Sequence, residues 1–78
     1  SCEVCGFDFL HRYGSIGDGF AEVHHKVPLG RALGERKTKL NDLAVVCSNC
    51  HRMLHRGNPL FSMAELQASL NVHGPEFP

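Results

Sequence analysis

The sequence predicts a small α+β domain built from an antiparallel hairpin, a histidine-bearing helix and an additional C-terminal helix. Three observations carry that expectation. A stretch of alternating character, Phe20-Ala-Glu-Val-His24, ends in paired histidines before Pro28. An apolar, β-branched run, Leu43-Ala-Val-Val46, leads into Cys47-Ser-Asn-Cys50-His51-Arg-Met-Leu-His55, where two histidines stand four residues apart. Finally, Ser62-Met-Ala-Glu65 has the form of a capping box and is followed by Leu66 and Leu70 at helical spacing.

Taken in order, residues 20–24 form the first strand, with Phe20, Glu22 and His24 on one face and Ala21 and Val23 on the other. Residues 43–46 form the second, paired across a long connection. A helix begins near Cys50, capped by the residues before it, and ends at Gly57 with Pro59 beyond. The closing helix covers about residues 63–71. Ahead of the first strand, residues 7–13 are aromatic-rich and compatible with either a short helix or an irregular strap, and residues 14–19 form a glycine-rich loop. Between the strands, residues 30–39 read as a basic surface loop, and residues 74–78 as a tail or linker.

Seventy-eight residues make one domain, and a chain this short buries too little apolar surface to be comfortably stable unaided. The four cysteines supply what is missing. Cys2/Cys5 and Cys47/Cys50 are two Cys-x-x-Cys pairs, each able to present two thiolates from one tight turn to a single tetrahedral ion. A structural zinc is therefore the expected staple. Disulfides are the alternative, but a bridge spanning two intervening residues closes a small, strained loop and stabilises little. Cys47-x-x-Cys50-His51 also satisfies the c-type haem attachment pattern, which would leave Cys2, Cys5 and the histidine pair unexplained. A thioredoxin-like role would need a βαβ context that this sequence lacks.

Net charge is zero, but it is unevenly spread. Residues 1–22 carry Arg12 against Glu3, Asp8, Asp18 and Glu22. Residues 23–57 carry Lys26, Arg31, Arg36, Lys37, Lys39, Arg52 and Arg56 against only Glu35 and Asp42, and this basic stretch contains both histidine segments. Such a coincidence suits a site for a polyanion, whereas the plain reading is a solvated basic loop. No apolar run approaches the roughly 18 residues of a membrane span and no signal-peptide pattern is present, so a cytoplasmic protein is expected. A start at Ser1-Cys2, with a candidate ligand at the second residue, suggests a domain excised from a longer protein.

Four of the six histidines, His24, His25, His51 and His55, converge in this arrangement. Imidazole is the commonest neutral metal ligand, and a helical i, i+4 pair presents two nitrogens to one ion. Adjacent strand residues point to opposite sides, so His24 and His25 divide their work: one on a metal, the other on a substrate. Partly buried histidines satisfied by backbone groups would account for one such residue but not for four. His11 and His73 read as surface residues, and Arg52 and Arg56 as lying on a different helix face from His51 and His55.

The ordered motifs Cys-x-x-Cys, Glu-x-His-His-x-x-Pro-Leu and Asp-Leu-x-x-x-Cys-x-x-Cys-His-x-x-x-His, covering residues 2–55, resemble the HNH nucleases, the ββα-metal family with a four-cysteine zinc site. Cys5-Gly-Phe-Asp-Phe9, Tyr13-Gly14 and Asn49-Cys-His-Arg-Met-Leu-His55 resemble in particular the nuclease domains of modification-dependent (type IV) restriction enzymes. The resemblance implies an HNH domain over residues 1–73. It implies that His25 is the general base, that His24, His51 and His55 hold a catalytic divalent ion, and that DNA is hydrolysed to 5′-phosphate and 3′-hydroxyl ends. The family's middle asparagine stands nine residues before the helix histidine, a spacing that falls on Asp42, with Asn41 its neighbour. Asp42 is expected behind His25, with Asn41 in reserve, and a carboxylate there would raise the imidazole's pKa. An imidazole-rich site suits nickel, cobalt, manganese or zinc better than magnesium. Lys26, Arg31, Arg36, Lys37, Lys39, Arg52 and Arg56 are the candidate phosphate contacts. Base specificity is expected to reside on a linked domain, and double-strand cleavage to need a homodimer or two successive nicks. The reading from another class is a non-catalytic zinc-binding module that contacts nucleic acid.

Overall fold

A computed structural model describes residues 1–27 and 39–73. Along these the order is α1 (Phe9–Tyr13), a 3₁₀ turn (Gly14–Gly17), β1 (Glu22–His25), a second 3₁₀ turn (Leu40–Asp42), β2 (Leu43–Val46), α2 (Ser48–Leu54) and α3 (Met63–His73). This is the α+β architecture expected from the sequence: a two-stranded antiparallel sheet with helices around it. The basic loop expected over residues 30–39 and the tail 74–78 lie outside the described residues, apart from the exposed Lys39.

Residues 2–6 form a tight knuckle. The Gly6 amide donates to the Cys2 carbonyl at 2.9 Å and the Cys2 amide to the Phe7 carbonyl at 2.8 Å, with Gly6 at φ +81, a conformation that suits glycine. The knuckle is joined to β2, because Glu3 donates its amide to the Val45 carbonyl (2.9 Å) while its carboxylate accepts the Val45 amide (2.6 Å). Residues 7–13, open between helix and strap, resolve as a short helix started by Asp8, whose Oδ1 accepts the Leu10 amide at 3.0 Å. Its aromatic side chains cluster: Phe9 meets Phe7 edge-on at 4.9 Å between centroids and Phe20 at 4.7 Å. The glycine segment is more ordered than a loop, since Gly17 is buried against α1. A Cβ there would lie 2.2 Å from the Phe9 carbonyl oxygen.

The first strand is displaced from its expected span. Phe20 belongs to the preceding turn, its amide donating to the Gly17 carbonyl at 3.1 Å and its ring engaged with Phe9, so pairing starts at Glu22 and extends to His25. The register sets Glu22 opposite Val46, Val23 opposite Val45, His24 opposite Ala44 and His25 opposite Leu43. Alternation then places His24, Ala44 and Val46 inside while Val23 and Val45 face outward.

Helix α2 starts two residues earlier than Cys50 because Cys47 is itself the cap. Its Sγ accepts the Cys50 amide at 3.4 Å and its carbonyl accepts the His51 amide at 2.9 Å. The helix ends at Leu54, short of Gly57, as the chain turns back and the Phe61 amide donates to the Leu54 carbonyl at 3.1 Å. Leu54 is fully buried among Cys2, Val4, Ala44, Val46, Cys47 and Cys50. Met63, Leu66 and Leu70 pack α3 against that core.

Helix α3 begins with the expected capping box: the Glu65 amide donates to Ser62 Oγ (3.0 Å) and the Ser62 amide to Glu65 Oε1 (2.8 Å). These hydrogen bonds, the amide first and the hydroxyl second, hold the Glu65 carboxyl below its ordinary range. The cap's carboxylate contribution is therefore complete above the ordinary glutamate range and is lost as pH falls through the lowered value. Replacing Ser62 by Ala is expected to cost α3 about 1 kcal/mol, read as faster hydrogen exchange of the first-turn amides. Glu65→Gln should remove the acid-dependent part of their exchange.

Candidate metal centres and the groove beside them

The four sulfurs of Cys2, Cys5, Cys47 and Cys50 lie within 4.8 Å of one another, and all four cysteines are free thiols. The two pairs are joined where Cys5 and Cys47 approach to 3.8 Å between sulfurs. Three of the cysteines are buried and Cys5 is exposed. Amides point at sulfur in each knuckle, Val4 to Cys2 and Cys50 to Cys47, both at 3.4 Å, as suits a thiolate. Burial alone would raise Cys2, but the amides of Cys5, Cys47 and Val4 bring it down to about 7. Burial drives Cys50 strongly upward, and its sulfur neighbours Cys47 and Cys5 push the same way. Four sulfurs this close ionise together only around a cation. Their number, softness and mutual spacing fit zinc.

A second cluster is built from imidazoles. Candidate ligand nitrogens of His24, His51 and His55 also lie within 4.8 Å of one another. Ring centroids stand 5.3 Å apart for His24–His51, 5.1 Å for His24–His55 and 4.9 Å for His51–His55. His24 sits on the inward face of β1 at 1% exposure, and among the described residues its Nδ1 is a buried polar atom without a hydrogen-bond partner. Burial, then the neighbouring His55, His51 and His25, hold its pKa below the ordinary value, so the ring is neutral and carries a lone pair. A neutral, buried ring with an orphaned nitrogen, gathered with two further imidazoles, fits a metal ion.

Glu22 stands behind this cluster. Its Oε1 lies 2.7 Å from His51 Nδ1 and its Oε2 accepts the Ser48 hydroxyl at 2.7 Å. The Ser48 hydrogen bond first, and His51 second, lower the Glu22 pKa and keep the carboxylate ionised. An ionised acceptor makes His51 Nδ1 the donor, which leaves Nε2 free for an ion and fixes the ring's orientation. Neither Glu22 nor Ser48 was expected at the site from sequence. The signal was present in Glu22-x-His24, because residues two apart on a strand share a face.

His25, the neighbour of His24 on β1, is half-buried and lies outside the three-imidazole cluster. Asp42 is close by along the ladder: the Lys26 amide donates to the Asp42 carbonyl at 2.8 Å, and the Asp42 carboxylate accepts the Lys39 amide at 3.0 Å. That carboxylate thus ties down the turn that enters β2, while Asn41 is exposed in the same turn. Lys26, Lys39, Arg52 and Arg56 are exposed, and Arg31, Arg36 and Lys37 lie outside the described residues. Arg52 and Arg56, on the helix row next to His51 and His55, border the same open groove as those imidazoles, Glu22 and Met53. His11 and His73 are exposed and belong to neither cluster.

The family model for HNH endonuclease matches residues 2–57, the span that contains both clusters. The chain belongs to the HNH endonuclease family. Comparison with curated proteins and with solved structures finds no match. The narrower likeness to modification-dependent restriction enzymes therefore rests on the sequence motifs alone. Family membership and the two clusters support a nuclease-type or metal-binding nucleic-acid function for this HNH domain, with DNA as the substrate the family suggests. Among the described residues no helix is long and apolar enough to cross a membrane.

The two clusters should separate in metal-binding experiments. Elemental analysis of the purified domain is expected to find about one zinc per chain that survives mild chelation, and Cys47→Ser should release it. Glu22→Gln should weaken divalent-ion binding at the imidazole cluster about 10- to 100-fold in a calorimetric titration while the chelation-resistant zinc is retained.

Proposed function

We propose that the domain is a metal-dependent DNA endonuclease in which His24, His51 and His55 hold one divalent ion and His25 acts as general base. The observation that supports this best is the pairing on β1: a buried His24 whose Nδ1 is orphaned beside two imidazoles, followed by a His25 that stands outside the cluster. Adjacent strand positions point to opposite sides of the backbone, which supports assigning the two histidines different roles. When bound, the ion supplies Lewis acidity to a phosphoryl oxygen and stabilises charge on the leaving 3′ oxygen.

The protein's own residues supply the rest. His25 accepts a proton from the water that attacks phosphorus in line; the P–O3′ bond breaks and the departing 3′ oxygen takes a proton from solvent, which yields a 5′-phosphate and a 3′-hydroxyl. Asp42, held in the adjoining turn, is the residue we assign behind His25, with Asn41 in reserve. Glu22 holds His51 in the tautomer that faces the ion. Lys26, Lys39, Arg52 and Arg56, together with Arg31, Arg36 and Lys37 of the connecting segment, neutralise phosphates along the strand. The structural zinc keeps the knuckle and the start of α2 together. We further propose that the domain, spanning residues 1–73, is the cleavage module of a restriction enzyme in the cytoplasm. In that setting base recognition is carried by a linked domain, and breaks in both strands come from a homodimer or from two nicks.

The competing reading, a zinc module that binds nucleic acid without cutting it, would have no use for three clustered imidazoles. Incubation of supercoiled plasmid with the domain should give nicked circles in the presence of a divalent ion, and His25→Ala should reduce nicking by at least about 100-fold. Nicking is expected to be faster with nickel, cobalt or manganese than with magnesium, as an imidazole-rich site prefers. Equal nicking by the parent and by His25→Ala, or none with any of these metals, would refute the catalytic assignment.

A further inference from the structure

A second groove borders α2. It has a volume of about 610 Å³ and runs between α1, α2 and α3, with Phe9, Tyr13, Met53, Leu66 and Leu70 among its apolar walls and Arg12 and Asn49 at its polar positions. Tyr13 is 55% exposed and stacks at 6.2 Å and 20° on Phe9, which supports its ring from behind. The Arg12 guanidinium carbon stands 5.4 Å from the Tyr13 centroid. Met53, 46% exposed, lines this groove and also the groove of His51, His55, Arg52 and Arg56.

Resting on the nuclease reading, we propose that this groove receives an unpaired nucleobase of the DNA strand engaged at the imidazole cluster. The argument is one of continuity and charge. Along α2 and its capping turn, His51 and His55, then Arg52 and Arg56, then Asn49 and Met53 form neighbouring rows. A strand whose phosphate lies at the imidazoles meets the arginine row next, where a further phosphate is neutralised. The base attached beyond it then reaches the Tyr13 ring, across Met53. That end of the path offers what an unstacked base takes: an aromatic face for stacking, a guanidinium beside it, and an Asn amide that can donate and accept on a base edge. A paired base cannot enter, because its edge and both faces are occupied within the duplex. The groove therefore favours substrates with a bulged, mismatched or single-stranded nucleotide one or two positions from the cut.

The test uses the zinc-loaded domain with His25→Ala, so that DNA is bound without being cut, and two duplexes that are identical except that one carries a bulged 2-aminopurine. Anisotropy should show the bulged duplex binding about tenfold more tightly than the paired one. Adding Tyr13→Ala should remove that preference and leave affinity for the paired duplex unchanged, whereas Tyr13→Phe should keep it. Independently of whether Tyr13→Ala folds, 2-aminopurine emission should fall when the bulged duplex binds the Tyr13 protein. Equal affinity for the two duplexes without quenching overturns the base site but leaves the nuclease reading intact. Tyr13→Ala leaving the preference unchanged also overturns the base site, and assigns the groove to another occupant such as a protein segment. No measurable binding of either duplex overturns both readings.

Discussion

Four sulfurs within 4.8 Å of one another join a knuckle at residues 2–5 to a joint at residues 47–50, and the remaining elements take their positions from that junction. Cys47 serves three structural purposes at once. It follows the last residue of β2, it caps α2 through its sulfur, and it lies 3.8 Å from the sulfur of Cys5. Holding those sulfurs together fixes the angle at which α2 leaves the sheet, and that angle decides where His51 and His55 project. A chain of this size has few other means of doing so, since among the described residues the buried apolar side chains are only a handful, Leu54 and Val46 being the most fully enclosed.

The sheet adds a second constraint. Two short strands have little intrinsic stability, yet their register decides which side of the backbone each histidine occupies. With His24 opposite Ala44, a small residue leaves room for an imbedded imidazole under α2. Glu22, one alternation earlier on the same face, then reaches both Ser48 and His51 across to the helix. A buried neutral ring, an ionised carboxylate and a helical hydroxyl thus form one polar assembly between strand and helix. The same assembly orients the candidate ligands and anchors the helix to the sheet, so stability and function draw on the same residues.

Much of this was legible in the residues. The two Cys-x-x-Cys pairs announced a shared site because their spacing is local and stereochemically demanding. The capping box of Ser62 and Glu65 marked the start of α3 correctly, since both of its hydrogen bonds close within four residues. The existence of both strands and of the histidine helix followed from periodicity, but their boundaries did not. Phe20 has strand-like character, yet its ring is captured by Phe9, a contact across eleven positions that no local pattern reports. Cys47 is an unconventional cap, so local pattern sets the start of α2 two residues late. Glu22 and Ser48 carry no distinctive local signal because each is an ordinary polar residue until the register and the helix bring them together.

What the sequence determined by itself was chemistry: which side chains could ligate, which could take a proton, and that their order matches the HNH family. Residue type and local spacing are sufficient for that, because ligand preference, helical i, i+4 placement and strand alternation act over a few residues. Only the tertiary structure decided which imidazoles meet, that His25 stands apart from the other three, and that Glu22 supports His51. It also decided that Arg52 and Arg56 border the same groove as the imidazoles. Those outcomes depend on the angle between α2 and the sheet, which is set by packing and by contacts between residues more than twenty positions apart.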